Sequence, residues 1–223
     1  MNHPFNKKVA FLDMDGTIIM GQVQQGLMQF FRSRGELGWF YMLKVNFLFI
    51  LYKLGISRSV DGLFEYGLRY VAGRSVKEID ALIANYMDIV FRTRIFPNAI
   101  KLIDDLKRDE YSIVILSTAI NAVVSMVAAY LKIDDFISTN LEVREGIYTG
   151  KINGRVVYGD IKRQMLQKYV SDNGYIMSGV VAYADHESDI PMLKSAGKGF
   201  VVNPNKRMWH LARKEGLGII YTR

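Results

Sequence analysis

The stretch of sequence that decides the fold reads Val9-Ala10-Phe11-Leu12-Asp13-Met14-Asp15-Gly16-Thr17. Four apolar residues typical of a buried strand run into two aspartates, one residue apart, and then into Gly-Thr. In open α/β sheets, ligands bind at the carboxyl ends of the strands. Two carboxylates this close repel each other unless a cation or a shared proton compensates them. The pair therefore predicts a chemical role, and an ordinary acidic turn is the alternative.

The composition is that of a globular protein. The chain has 223 residues, of which 50% are hydrophobic, enough for one large domain or a core with a smaller appended one. It contains no cysteine, which excludes disulfides and thiolate metal sites and favours a reducing, cytoplasmic location. The net charge of +7 favours anionic partners such as phosphorylated metabolites or an anionic membrane. We expect no nucleic-acid binding, because no basic block with interleaved aromatic residues is present.

The rest of the chain divides into a helical block and an alternating region. Residues from about 20 to 95 read as helical, whereas strand-like and helical segments alternate afterwards. We expect strands at 111–116, 136–138, 179–184, 200–202 and 219–221, a hairpin at 142–150, and helices at 98–108, 122–131 and 160–172. This alternation predicts an α/β fold with a Rossmann-like, doubly wound parallel sheet. The predicted catalytic core comprises residues 1–19 and 96–223, and residues 20–95 form an all-helical cap inserted after the first strand.

Polar residues also stand at three later strand or helix ends. Ser117 and Thr118 precede an expected helix whose N-terminal amides could receive a phosphate, although a helix cap is the simpler explanation of either residue. Asp185 and Asp189 follow the strand at 179–184 and share one side of a helical turn, or else act as a cap and a solvated acid. Lys162 begins the helix at 160–172, where most lysines face water. Together these positions predict one crevice in a doubly wound sheet.

This series of motifs resembles the haloacid dehalogenase superfamily over nearly the whole chain. The stretch from Asp13 to Thr17 is similar to the first motif of that family, Ser117 to the second, Lys162 to the third, and Asp185 with Asp189 to the fourth. The helical insertion and the hairpin at 141–150 resemble subfamily IB, the phosphoserine-phosphatase-like branch.

The resemblance implies a phosphomonoester hydrolase that works through an aspartyl-phosphate. Asp13 would attack phosphorus, and Asp15 would protonate the leaving oxygen and then activate water. Ser117, Thr118 and Lys162 would hold the phosphoryl oxygens.

The resemblance also implies Mg²⁺. Its ligands would be Asp13, the main-chain carbonyl of Asp15, and Asp185, while Asp189 would orient the metal shell. Ser188 stands where this branch often has asparagine, so the chain departs from the family pattern at one phosphate or outer-shell contact.

Two further residues carry competing interpretations. Lys151 is a rival for the role of Lys162, but it lies in the hairpin, and Gly159-x-x-Lys162 matches the motif better. His186 follows the expected metal ligand Asp185, where it either touches substrate or is an exposed loop histidine.

The substrate is expected to be a small phosphorylated metabolite or a lipid head-group phosphate. The glutamate that holds the substrate ammonium in phosphoserine phosphatases falls near Gln22, which is uncharged, so phosphoserine is disfavoured. Arg69 and Arg74 are candidates to bind a substrate carboxylate. A phosphate- or lipid-binding module without catalysis is the alternative function, as is a phosphoserine phosphatase. A dehalogenase would need neither Asp15 nor Asp185.

The segment 37–54 is apolar and long enough to consider as a membrane span. It contains two lysines, each costing roughly 2.5–3.5 kcal/mol at a bilayer centre. A single crossing would also put Asp13 and the later motifs on opposite sides of the membrane, so we reject a span. We expect the segment to form the core of the cap. The alternative is an apolar surface that makes peripheral contact with an anionic membrane. The cations that would support such contact are Arg32, Arg34, Lys44, Lys53 and Arg58.

Overall fold

The first strand, β1 (Lys8–Leu12), lies at the centre of a six-stranded parallel sheet. The computed structural model describes residues 7–53 and 60–223. The other strands of this sheet are β2 (Tyr111–Ile120), β3 (Asp135–Thr139), β6 (Val180–Ala184), β7 (Lys198–Val202) and β8 (Gly218–Ile220). The remaining two, β4 (Leu141–Arg144) and β5 (Ile147–Ile152), form an antiparallel hairpin.

The strand order is β3-β2-β1-β6-β7-β8. The chain moves outward from β1 through β2 and β3, and it then returns to the other side of β1 with β6. The order therefore reverses between β1 and β6, and in such sheets ligands bind in the crevice beyond that point. This topology confirms the predicted doubly wound α/β fold.

Alternate residues of β1 pack into two different hydrophobic clusters. Val9 and Phe11 belong to one cluster, and Ala10 and Leu12 belong to the other, as the two-residue period of a strand requires. The helices are α1 (Val23–Ser33), α2 (Trp39–Lys53), α3 (Val60–Gly67), α4 (Val76–Tyr86), α5 (Pro97–Arg108), α6 (Asn121–Leu131), α7 (Asp160–Asp172), α8 (Ile190–Ser195) and α9 (Lys206–Lys214). Helices α5 and α6 pack on the face of Ala10, and α7, α8 and α9 pack on the face of Phe11. Both faces of the parallel sheet are thus covered.

The chain leaves and re-enters the sheet region at adjacent points. Ile19 and Ile95 form an isolated antiparallel bridge, and the N–H of Met20 donates to the carbonyl of Arg94 at 2.8 Å. Helices α1 to α4 lie between these points. The division into a core and a cap at residues 20 and 95 stays a prediction, since one hydrophobic cluster runs through both parts.

Helix α2 buries only one of its faces. Tyr41, Met42 and Val45 pack against the hydrophobic core. The other face is exposed and apolar, and its members are Trp39, Phe40, Leu43, Phe47 and Ile50. The expectation that this segment forms cap core is wrong for these five side chains. Leu54 and Arg58 lie outside the described residues, and no helix within 7–53 and 60–223 is long and apolar enough to cross a bilayer.

Candidate active site

The predicted motifs meet where the order of the strands reverses. Leu12 is paired with Tyr183 of β6 and with Ile115 of β2, so Asp13 and Asp185 follow two neighbouring strand ends. The N–H of Asp13 donates to the carbonyl of Tyr183 at 2.9 Å, which continues the pairing by one residue. The sheet thus places the first and fourth motifs side by side.

Lys162 is the central cation of the site. Its Nζ lies 2.6 Å from Oδ1 of Asp13 and 2.9 Å from Oδ2 of Asp189, and all three side chains are buried. Burial opposes the charged ammonium, but the attraction of both carboxylates outweighs it and raises the pKa of Lys162. For Asp13, burial disfavours the charged carboxylate and raises its pKa to about 6, although the attraction of Lys162 lowers it. The helix α7 therefore supplies a buried cation directly beside the carboxylate of Asp13.

Asp15 lies in the loop after β1 and is oriented by α1. Its Oδ1 accepts a hydrogen bond from the N–H of Val23, the first residue of α1, at 3.1 Å. Burial, followed by the negative charge of Asp13, raises the pKa of Asp15 from 3.8 to about 7. Asp15 can therefore both hold and release a proton near neutral pH, which is the property of a general acid and base.

Asp185 lies against the glycine of the first motif. Gly16 has φ +76°, and a Cβ at this position would collide with the carboxylate of Asp185. Glycine therefore permits both the turn and the approach of the fourth motif. Burial, with repulsion from Asp13 and Asp189, raises the pKa of Asp185 to about 8.

This arrangement of acidic groups fits a divalent cation. The pKa values of Asp13, Asp15 and Asp185 are all raised, mainly by burial and further by repulsion from neighbouring carboxyls, and the attraction of Lys162 does not outweigh these effects. Carboxylate and carbonyl oxygens are the ligands that Mg²⁺ prefers. Among the described residues, no three His, Asp or Glu side chains form a ready set of metal ligands. The predicted set does not require one, because it combines two carboxylates with a main-chain carbonyl.

The two hydroxyls of the second motif have different surroundings. Ser117 is buried, and its Oγ accepts from the N–H of Ala119 at 3.1 Å; within 7–53 and 60–223, its own hydroxyl hydrogen has no acceptor. The hydroxyl of Thr118 instead donates to the carbonyl of Val157 at 2.8 Å. The prediction that the Thr118 hydroxyl binds phosphate is therefore not supported by its contacts.

The expectation that the strand ends at Leu116 is wrong, whereas the helix expected at 122–131 is present and begins one residue earlier. Strand β2 continues through Ser117 and Thr118 to Ile120, and α6 begins at Asn121. The pairing of β2 with β3 shifts between Leu116 and Ile120, so an irregular strand occupies these positions.

Residues near the fourth motif form a local network. Nδ1 of His186 accepts from the N–H of Ser188 and lies 2.8 Å from its Oγ. The same Oγ lies 3.3 Å from Oδ1 of Asp189. His186 is exposed, as is Lys151, which agrees with the preference for Lys162 over Lys151 as the buried cation.

A family model described as haloacid dehalogenase-like hydrolase matches residues 10–194. The chain belongs to this family. It is 26% identical to a probable phosphatase of Mycobacterium tuberculosis, over 97% of this chain and 76% of that protein. It is also 26% identical to a phosphoserine phosphatase of the same organism, over 93% of this chain and 68% of that protein. Its fold is similar to a phosphoserine phosphatase solved as a phospho-aspartyl intermediate analogue, with a TM-score of 0.69, 18% identity, and coverage of 98% and 94% of the two chains. The predicted family and the predicted enzyme class are thereby confirmed.

Some supporting residues of this hydrolase were not predicted from its sequence. Asn203 follows β7, and its Nδ2 donates to the carbonyl of Gly16 at 2.9 Å. The hydroxyl of Thr222 donates to the carbonyl of Thr17, also at 2.9 Å, and Asn203 and Thr222 are hydrogen bonded to each other. These two residues therefore hold the main chain of the first-motif loop in place. The sequence feature that could have indicated them is their position just after the last two strands of the sheet.

The three residues considered for substrate recognition, Gln22, Arg69 and Arg74, differ in their exposure and in their contacts. Gln22 is exposed at the start of α1. Arg74 forms ion pairs with Glu36 and Glu78, so its charge is already compensated within the protein. Arg69 is exposed, and its guanidinium lies over the ring of Tyr66.

Proposed function

We propose that this hydrolase cleaves phosphomonoesters in two steps through a phosphorylated Asp13. The observation that carries the proposal is the buried contact of Asp13 with Lys162, beside an Asp15 carboxyl whose pKa of about 7 suits proton transfer. The family match and the relatives named as phosphatases support the same reaction class.

In the first step, Oδ2 of Asp13 forms a bond to phosphorus while the bond from phosphorus to the ester oxygen breaks. Oδ1 remains held by Lys162. The carboxyl proton of Asp15 passes to the departing oxygen, so the alcohol leaves neutral. Lys162 and the Ser117 hydroxyl offset the negative charge on the phosphoryl oxygens.

In the second step, the Asp15 carboxylate takes a proton from water, and the water oxygen forms a bond to phosphorus. The bond from phosphorus to Asp13 breaks, which releases phosphate and restores the nucleophile. Asp13, the carbonyl of Asp15 and Asp185 would hold Mg²⁺, and Asp189 would orient its shell. When bound, this ion supplies positive charge against the phosphate and the nucleophile.

The substrate is a small phosphorylated metabolite. A second candidate, a lipid head-group phosphate, is favoured by the exposed apolar face of α2. That helix contains no acidic residue, and Lys44 is exposed on it, so an anionic membrane would complement both its apolar and its cationic side chains.

The test of the reaction is phosphate release by purified protein with Mg²⁺ or with EDTA. The panel contains an aryl phosphate, phosphoserine, histidinol phosphate, lysophosphatidate and phosphatidylglycerophosphate. Asp13→Asn should abolish turnover while retaining the fold, because it removes a buried negative charge. Substantial residual activity in this variant would refute the role of Asp13 as nucleophile.

The membrane candidate has a separate test, co-sedimentation with phosphatidylglycerol or phosphatidylcholine vesicles. Binding should require the anionic lipid and should be lost when Phe40 and Phe47 are both changed to serine. Ile89→Ser is the matched control, because Ile89 is also exposed but lies outside α2. Equal binding by all variants would argue against contact through α2.

A further inference from the structure

A buried hydroxyl without a partner lies next to α1. Tyr86, at the end of α4, is fully buried, and its hydroxyl has no hydrogen-bond partner in the described part of the chain. The hydroxyl points at Gly26 of α1, where any Cβ would collide with it. Burying a hydroxyl without a partner is unfavourable, and unsatisfied buried groups require an explanation.

An arginine points at the same place. Nη1 of Arg94 lies 3.1 Å from the position that a Cβ of Gly26 would occupy. The guanidinium is half-buried, and across residues 7–53 and 60–223 it forms neither an ion pair nor a hydrogen bond. Arg92, two residues earlier, is exposed and forms an ion pair with Asp88 at 3.0 Å. Arg94 and Tyr86 thus bring several hydrogen-bond donors to one point, and the part of the chain that the structure describes supplies no acceptor for them.

This point is close to the candidate general acid. Gly26 follows Val23 by one turn of α1, and the N–H of Val23 holds the carboxyl of Asp15. The Tyr86 hydroxyl interacts electrostatically with both Asp15 and Arg94. The carbonyl of Arg94 accepts from the N–H of Met20, so Arg94 lies beside the loop that carries Asp15.

We propose that Arg94 and Tyr86 bind an anionic group carried by the alcohol portion of the substrate. The proposal rests on the function proposed above, in which Asp15 protonates the departing oxygen, so groups around Asp15 face the leaving alcohol. In the proposed reaction, Lys162 and Ser117 bind the transferred phosphoryl group. The anion bound by Arg94 is therefore a different group of the same substrate. A carboxylate on a metabolite and a phosphodiester on a lipid share this chemistry.

The test compares substrates that differ in this second anion. The first pair is 3-phosphoglycerate and glycerol 3-phosphate, which differ by a carboxylate. The lipid pair, in detergent micelles, is phosphatidylglycerophosphate and phosphatidate, of which only the first has a phosphodiester in its leaving group. In at least one pair, the wild-type enzyme should have the higher kcat/KM for the member with the second anion, 3-phosphoglycerate or phosphatidylglycerophosphate. A preference in the first pair indicates a metabolite, and a preference in the second pair indicates a lipid.

Variants assign the preference to the two residues. Arg94→Gln should reduce the ratio of kcat/KM between the members of the pair by about 10- to 100-fold, mainly through KM, as expected for a lost charged hydrogen bond. Tyr86→Phe should reduce the ratio by a smaller factor, and Arg94→Lys should restore part of it. Arg92→Gln is the matched control and should leave the ratio unchanged. Thermal unfolding of each variant reports separately on the fold.

Two outcomes would overturn the subsite. One is a wild-type enzyme without any preference, and the other is an Arg94→Gln variant that slows both members of a pair equally. Calorimetric titration of Asp13→Asn with 3-phosphoglycerate and glycerol 3-phosphate measures the preference without turnover. No phosphate release from any substrate would instead refute the proposed function, while this binding preference would still report on Arg94.

Discussion

Replacing Lys162 by methionine removes the only cation in direct contact with the carboxylates of Asp13 and Asp189 among the described residues. Methionine keeps most of the side-chain volume, so the change acts mainly through charge. The two contacts of 2.6 and 2.9 Å are buried, and removal of one partner from a buried ion pair costs about 3–5 kcal/mol. For a chain of this size, such a loss lowers Tm by roughly 6–20 °C.

The assay is urea unfolding in EDTA at pH 7.5, with Lys168→Met as the control. Lys168 lies on the same helix and pairs with Asp172 at 2.6 Å, but both side chains are mostly exposed. Exposed pairs of this kind contribute about 0–1 kcal/mol. We therefore expect a large loss of unfolding free energy in Lys162→Met and a small one in Lys168→Met.

The deficit of Lys162→Met should depend on pH. Without the ammonium, the pKa of Asp13 in the folded protein rises further above its unfolded value of about 3.8. The folded variant then binds protons that the unfolded chain has already released, so its stability is present at low pH and is lost as pH rises through the folded pKa. The gap to wild type should narrow from pH 7.5 to pH 5. Equal small losses in both lysine variants, or a gap that widens on acidification, would refute the electrostatic account.

Three other perturbations test the geometry around the loop of the first motif. Gly26→Ala should cost about 1–3 kcal/mol in urea unfolding because its Cβ collides with the Tyr86 hydroxyl, and adding Tyr86→Phe should recover part of the loss; no recovery would contradict the stated clash. Gly16→Ala should weaken Mg²⁺ binding in calorimetric titration, since the new Cβ displaces the carboxylate of Asp185 and φ is +76°; unchanged affinity would count against this ligand. In metal-free wild type, the raised pKa values of Asp13, Asp15 and Asp185 should all lower stability as pH rises from about 4, each with a slope of up to about 1.4 kcal/mol per pH unit, and Asp15→Asn should remove the Asp15 share of this slope below pH 7. A slope that is unchanged in the variant would assign the whole effect to other groups.

The sequence predicted the architecture well because each strand of the sheet is a short apolar run with polar residues at its end. The predicted helices at 98–108 and 160–172 agree with the structure to within one residue, since Pro97 and Gly159 mark their starts. The end of β2 was predicted four residues too early. A pair of hydroxyl residues is a typical helix-cap signal, but Thr118 is held in the strand by hydrogen bonds with Val157 and Thr139. Such long-range bonds leave no local pattern in a sequence.

The sequence predicted which motif residues lie together in the candidate site, but it did not predict the contacts between them. The order of polar residues at strand ends and at the start of a helix indicated Asp13, Lys162 and Asp189 together, because parallel strands present their carboxyl ends at one edge of the sheet. Lys162 is buried because it pairs with Asp13 and Asp189, which lie 149 and 27 residues away in the chain. The sequence of α7 gives no indication of these distant partners. Arg94 and Tyr86 belong to no motif, and only the fold brings their donors, which have no partner among the described residues, to one point beside α1.

Helix α2 shows the same limit for packing. An amphipathic helix indicates its buried face by the spacing of its polar residues, whereas α2 is apolar nearly all round. Its buried face is selected by α3, where the ring of Tyr41 stacks on that of Tyr66 and its hydroxyl donates to the Tyr66 carbonyl at 2.8 Å. The remaining face keeps Phe40 with 84% of its surface exposed, alongside Phe47. An anionic bilayer would complement both this apolar face and the exposed Lys44, which is the membrane contact proposed above and tested there with vesicles.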